Sequence, residues 1–342
     1  MAHLVRQLLS RSLTGERAIA LTSRVPSLPA VCQEFETIDE LGLYLHIPFC
    51  EQICPYCPYN KELYHRDVAD RYAEAVKREI DFYAGIVGKR PITSLYIGGG
   101  TPTTMLHSGL AGILEHIRST FVLQCDIHME SHPNHLSTDN LRLIRSMGVE
   151  HLSMGVEALI DRHLKALRRP YTVREAQEAI GDALAQDFKC VNVDVMFALP
   201  GQTYQEIEQT GHALVQTGVD QVAAYPLFRF PYTRLGQTGR AGNHGLLQLL
   251  KRRRMFKILE RIFYEAGYQR TSVWAFTKRG VPRYCSVTVP LYLGLGASGG
   301  SYLRGLFYLN TFSVSEYIKA LEHGRAAIAL SVALSERMQR SG

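Results

Sequence analysis

The stretch LYLHIPFCEQICPYCPYNK, Leu43 to Lys61, decides how this chain is read. Leu43, Leu45 and Ile47 alternate with Tyr44 and His46, the period-two pattern of a strand, and Pro48 ends it. Cys50, Cys54 and Cys57 follow at once in C-x3-C-x2-C spacing. The thiols therefore sit on a tight loop at the C-terminal end of a strand, where sheet-based folds place their chemistry. Three thiolates on one loop suit three corners of a [4Fe–4S] cube, which normally takes cysteine at every iron. No fourth cysteine is close, so one iron is left for a ligand that is not protein. Two rival readings stand beside this one. Buried apolar cysteines or a disulfide framework fit poorly, because Glu51, Pro55 and Tyr56 are interleaved with the thiols. A zinc site needs four ligands, usually as two separated pairs, with His46 as the candidate fourth.

Bulk properties narrow the field. The 342 residues allow a large barrel domain with a smaller appendage. Composition is that of an ordinary globular protein, 46% hydrophobic and 20% charged. No apolar run reaches the roughly 18 residues of a transmembrane helix, so no membrane span is expected. The net charge of +6 is mildly basic, but no Lys/Arg stripe is interleaved with aromatics, which argues against nucleic acid as a partner. The seven cysteines, with Cys32, Cys125, Cys190 and Cys285 scattered, do not form a secreted disulfide framework. A reducing, cytoplasmic setting is expected. The first 25 residues carry Arg6, Arg11, Arg17 and Arg24 against Glu16 alone. That reads as an N-terminal strap over 1–40, with a mitochondrial or plastid transit segment as the alternative.

Further along, strand and helix signals alternate. Val68, Tyr72, Val76 and Ile80 repeat every four residues, widened by Ala75 and Tyr83, and predict a helix from Asp67 to about Tyr83. Ile92–Ile97 reads as a strand that runs into Gly98-Gly99-Gly100-Thr101-Pro102, where glycines let a ligand lie against bare backbone. Asp126–Glu130 is a third strand, and a helix capped at Ser137 or Thr138 closes at Gly148. Glu150–Val156 is a fourth strand. Thr172-x-x-Glu175 and Thr203-x-x-Glu206 are capping boxes. Strands are expected at CVNVDVMF within Lys189–Leu199 and at Asp220–Leu227. Six strands with helices between them predict an α/β fold with parallel strands, too few to close an eight-unit barrel. Gly236, Gly239, Gly242 and Gly245 mark a boundary, giving a core over 41–235 and a small α+β extension over 236–342. The extension holds a basic helix from about Leu247 to Ala266 with Lys251-Arg252-Arg253-Arg254, a strand at Thr271–Phe276, the glycine loop Leu293–Ser301 and a last amphipathic helix. The basic run is a solvated face or a landing patch for an acidic electron donor.

The lead-in Tyr44–Cys50, the C-x3-C-x2-C loop and GGGTPT resemble the radical S-adenosylmethionine (SAM) superfamily. Within it the chain is similar to the branch of oxygen-independent coproporphyrinogen III oxidase (HemN-like proteins), the HemW-type haem chaperones and class C methyltransferases. The resemblance runs from about Tyr44 to Ser301 and implies a partial (β/α)6 TIM-like barrel. It also implies a C-terminal helical domain that is shortened or absent here.

By that resemblance Cys50, Cys54 and Cys57 ligate a [4Fe–4S] cluster. Gly99, Gly100 and Thr101 bind the methionine end of SAM, and Tyr44 and Tyr56 pack on cluster and adenine. Glu130, Glu157, Arg169 and Asp194 match polar positions of the SAM site, although Glu157 stands where this branch commonly has Gln. Asp194, midway along an apolar strand, needs a polar partner in any reading. Gly294 and Gly296 match a region that contributes to a second SAM site, a tight glycine turn being the other reading. His46 and His128 read as satisfied core histidines. The open iron would chelate the SAM amino and carboxylate groups, and a low-potential electron, from a flavodoxin- or ferredoxin-type donor, would release a 5′-deoxyadenosyl radical.

The resemblance implies a porphyrin-like or other conjugated-ring substrate. Oxidative decarboxylation is disfavoured by Tyr59, which stands where that enzyme typically has a further cysteine. The leading expectation is a radical SAM enzyme acting by hydrogen abstraction or methyl transfer. A haem-binding chaperone is the runner-up, and a zinc-binding barrel protein the third reading.

Overall fold

In the computed structural model Ser27 opens α1 (Leu28–Phe35), the first helix among the described residues, by accepting a hydrogen bond from the Ala30 N–H. The structure describes residues 21–23, 25–238, 246–285 and 289–335. Arg6, Arg11, Arg17 and Arg24 of the N-terminal segment and the glycines Gly239, Gly242 and Gly245 lie outside the described residues. Strand β1 (Leu41–Ile47) buries Leu41, Leu43, Leu45 and Ile47. Helix α2 (Arg66–Val87) follows and packs Tyr72, Ala75, Val76, Ile80 and Tyr83 on the sheet. Its face continues past Tyr83 until Gly88, at φ 61°, stops it.

The units then repeat: β2 (Pro91–Gly99), α3 (Leu110–Thr120), β3 (Ile127–Ser131), α4 (Thr138–Ser146) and β4 (Val149–Glu157). Next come α5 (Asp161–Ala166), α6 (Val173–Leu184), β5 (Cys190–Phe197), α7 (Tyr204–Thr217) and β6 (Gln221–Pro226). Both capping boxes form, with Thr172 and Thr203 each exchanging hydrogen bonds with the glutamate three residues on. Strands β1 to β6 lie side by side in chain order, each parallel to the next. This is the α/β, partial (β/α)6 core expected from the pattern.

The C-terminal third adds α8 (Leu246–Glu265), β7 (Tyr268–Arg270), β8 (Ala275–Lys278), β9 (Tyr292–Leu295), β10 (Gly300–Tyr302), β11 (Leu306–Asn310), α9 (Val314–Glu322) and β12 (Ile328–Ala333). These strands flank both edges of the core, in the order β7-β8-β6-β5-β4-β3-β2-β1-β9-β10-β11-β12. Two local expectations need correction. Thr271–Val273 is the turn of a hairpin, closed by the Thr271 N–H donating to the Ala275 carbonyl at 2.9 Å. Pairing of Ala275 with Ala223 on the edge of β6 sets where that strand begins, overriding local propensity. The Leu293–Ser301 loop is mostly strand, because Leu293 and Leu295 seat β9 beside β1.

In parallel pairing, partnered residues share a face. Tyr44, Tyr96, His128, His151 and Cys190 form one row across β1–β5, and Glu130, Ser153, Asn192 and Gln221 form another nearer the mouth.

Candidate functional site

Main-chain bonds pin the cysteine loop. Glu62 N–H donates to the Pro48 carbonyl at 2.7 Å, Tyr64 N–H to Cys50 at 2.9 Å, and Leu235 N–H to Pro55 at 2.8 Å. The Lys61 ammonium caps the carbonyls of Cys57 at 2.8 Å and Tyr59 at 2.7 Å. All three thiols are free of disulfides, Cys50 buried and the other two half-buried. Thr101 Oγ1 donates toward Cys50 Sγ at 3.5 Å, and Arg169 Nη1 toward Cys54 Sγ at 3.4 Å. Burial pushes the Cys50 thiol up to about 11 and the Cys57 thiol upward. Metal ligation, which deprotonates a thiol outright, overcomes such a shift.

The glycine segment runs along the approach to this loop. Gly100 N–H donates to Ile47 at 2.7 Å and Thr101 N–H to Phe49 at 2.8 Å. Gly99 has φ 118°, and a Cβ there would lie 2.5 Å from His46 Cε1. At Gly100 a Cβ would lie 2.7 Å from the Phe49 carbonyl oxygen. Only glycine fits either position.

Glu130 closes the segment from behind. It accepts the Gly99 N–H at 2.9 Å and the Tyr96 hydroxyl at 2.5 Å. Glu157 ends β4 at φ 70°, a left-handed conformation that a non-glycine residue holds only at a cost. Arg169 spreads its guanidinium over the same corner, donating to Gly155 O at 2.6 Å and Tyr171 Oη at 2.7 Å. Asp194 accepts from Ser153 Oγ and Asn192 Nδ2, both at 2.9 Å, so the carboxylate expected to need partners has two. Burial pushes all three carboxyls up, Asp194 to about 7, with Glu157 and Glu130 adding to its shift. Burial works against the Arg169 charge, but Tyr56, Tyr171 and Glu157 hold it protonated. The buried Tyr56 hydroxyl, close to Glu157 and Arg169, has no settled hydrogen-bond partner.

Other sequence candidates take different places. Tyr44 stacks on Tyr96 with ring centres 6.1 Å apart, and its hydroxyl meets His46 Nδ1 at 2.8 Å. His46 Nε2 meets the Asn60 carbonyl at 3.0 Å, and burial lowers this imidazole to about 4. Both ring nitrogens are thus engaged, which removes the fourth ligand of the zinc reading. Gly294 is pressed against Gly300, whose carbonyl oxygen would lie 2.2 Å from an added Cβ. Gly296, at φ 93°, donates to Glu79 Oε2 at 2.7 Å. Close packing accounts for both glycines, and neither joins the cluster of carboxylates.

Sequence reasoning missed Tyr96, Ser153, Asn192 and Tyr171. One of them, Asn192, stood two residues before the chosen Asp194, hence on the same strand face. Among the described residues no three His, Cys, Asp or Glu side chains close around one metal ion. An iron–sulfur cube spreads its thiolates over separate irons. The donor set of three cysteines and the glycine cradle fit such a cluster with SAM beside it.

A family model for the radical SAM superfamily matches residues 44–214. The heme chaperone HemW of Bacillus subtilis (strain 168) is 27% identical over 281 residues, covering 80% of this chain and 74% of that protein. HemW of Mycobacterium tuberculosis (strain ATCC 25618 / H37Rv) is 32% identical over 206 residues, covering 59% and 53%. Radical S-adenosyl methionine domain-containing protein 1, mitochondrial, of Danio rerio is 28% identical over 241 residues, covering 70% and 54%. The solved structure of coproporphyrinogen III oxidase (HemN) from Escherichia coli superposes with a TM-score of 0.84 at 21% identity, covering 96% of this chain and 80% of that one. That last likeness is one of fold. Among the described residues no helix is long and apolar enough to cross a membrane.

Proposed function

The chain belongs to the radical SAM superfamily, and from that premise we propose that it is a haem-handling protein that holds a [4Fe–4S] cluster and SAM. Cys50, Cys54 and Cys57 would ligate the cluster. Gly99, Gly100 and Thr101 would present bare backbone to the methionine end of SAM, with Glu130 fixing Gly99 from behind. Glu130, Glu157 and Asp194 set three carboxyl groups around the guanidinium of Arg169, a buried polar lining that suits the charged methionine end of a ligand such as SAM. Tyr56, beside Glu157 and Arg169, would pack against the same ligand. When bound, the cluster and SAM supply one-electron reductive cleavage of the sulfonium.

The haem part of the proposal is supported by kinship with the HemW chaperone of B. subtilis. The 281 matched residues exceed the core and must include part of the extension. Titration of the anaerobically reconstituted chain with haem tests it. A saturable Soret change at one haem per chain is expected, and no saturable binding would refute it.

A catalytic reading, hydrogen abstraction or methyl transfer on a tetrapyrrole or other conjugated ring, is favoured by one observation. Glu157 holds a strained left-handed backbone at the mouth, a cost that structures keep mainly where chemistry or ligand binding needs it. Mass spectrometry of SAM products separates the readings. 5′-Deoxyadenosine formed with a porphyrin present supports catalysis, S-adenosylhomocysteine besides points to methyl transfer, and haem binding without turnover supports the chaperone.

A further inference from the structure

A cavity of about 420 Å³ opens beside the thiol loop, within the range of roughly 300–1,000 Å³ typical of small-molecule sites. Cys54 and Cys57 line it, but Gly99, Glu130, Glu157 and Arg169 do not. Its walls come from three distant parts of the chain: the thiol loop, the segment Tyr232–Arg234 after β6, and Phe312 before α9. Two bonds hold these parts together, Leu235 N–H to the Pro55 carbonyl and Asn60 Nδ2 to the Phe312 carbonyl, both at 2.8 Å.

Three aromatic rings stand open here, Tyr59 at 62%, Tyr232 at 65% and Phe312 at 48% exposure. Large aromatic rings left in water around one concavity mark a binding surface. Two cations line the same cavity, Lys61 and Arg234. Among the described residues neither has a carboxylate partner, and Lys61 bonds only main-chain carbonyls. Flat apolar faces beside unpaired cations complement a flat apolar ligand with acidic arms.

We propose that this cavity seats a planar aromatic macrocycle bearing carboxylate side chains, with Tyr232 and Phe312 against its face and Lys61 and Arg234 on its carboxylates. The inference deepens the haem-handling reading and rests on it. One edge of the macrocycle lies against the thiol loop, and the other stays open to water. A ligand so seated is held by a few contacts and can leave to an acceptor without the barrel opening, as delivery demands.

The test uses the reconstituted chain with ferric haem and haem dimethyl ester as probes. Arg234→Gln and Tyr232→Ala are chosen because both side chains are exposed. Arg234→Gln weakens haem binding about tenfold and leaves the ester unaffected, since the ester has no carboxylate to lose. Tyr232→Ala weakens both probes alike. Iron content and SAM affinity stay at wild-type values in both variants. The inference is overturned if wild type binds haem and both variants bind it equally well, or if the variants lose SAM instead of haem. Failure of wild type to bind haem at all sinks the haem-handling reading itself.

Discussion

One guanidinium nitrogen of Arg169 points at the Cys54 sulfur from 3.4 Å while another donates to the Gly155 carbonyl at 2.6 Å. Arg169 thereby ties the thiol loop to the end of β4, across 115 residues of sequence. Among the described residues it is also the cation that faces the carboxyls of the cradle. Arg169→Leu is expected to weaken SAM binding by about tenfold or more, measured by calorimetry on reconstituted protein. Arg169→Lys keeps the charge but loses the planar fork, so recovery is partial.

Gly99→Ala tests the backbone cradle. Alanine at φ 118° is strained, and its methyl group meets the His46 ring. A stability loss of about 2 kcal/mol or more is expected in urea unfolding, together with loss of SAM binding.

Glu79 is fully enclosed and accepts from Gly296 N at 2.7 Å, Asn310 Nδ2 at 2.7 Å and Tyr317 Oη at 2.6 Å. Glu79→Ala removes the shared acceptor of three buried donors, of which Asn310 Nδ2 keeps the Gly296 carbonyl, and should cost on the order of 3 kcal/mol. The urea midpoint falls, while the iron content of whatever protein remains folded is unchanged.

Asp194 gives a pH-dependent prediction. Burial raises its carboxyl from 3.8 to about 7. A group whose folded pKa lies above its unfolded value favours the folded state fully below the unfolded pKa, and that advantage is lost as pH rises through the folded one. Buried histidines such as His46, lowered to about 4, act in the opposite direction, so the prediction concerns a difference. The stability of wild type minus that of Asp194→Asn declines as pH rises from about 4 to about 7. Thermal unfolding across that range checks it, and a flat difference would contradict the assignment.

Much of the core was legible because its signals are local. Both capping boxes and the apolar alternation of β1 are written within a few residues of where they act. The edges of the sheet were not. Whether Ala275 or Thr271 starts a strand depends on the free edge of β6, and β9 finds its place beside β1 from some 250 residues away. The site divides the same way. The thiol spacing and the glycine triplet announce themselves, whereas the hydroxyl that holds Glu130, Tyr96, is an ordinary strand residue until the register places it. The union of Tyr232, Phe312 and the thiol loop in one cavity depends wholly on tertiary packing.

The central claim is that three cysteines hold an incompletely ligated cluster whose free iron takes SAM. The most direct measurement is iron and sulfide analysis of the anaerobically reconstituted chain, joined to EPR of the reduced protein before and after SAM is added. About four irons and four sulfides per chain are predicted, with a signal that SAM perturbs and that substitution of Cys50, Cys54 or Cys57 abolishes. Protein that takes up a single zinc and no sulfide, or a cluster signal indifferent to SAM, would contradict the account.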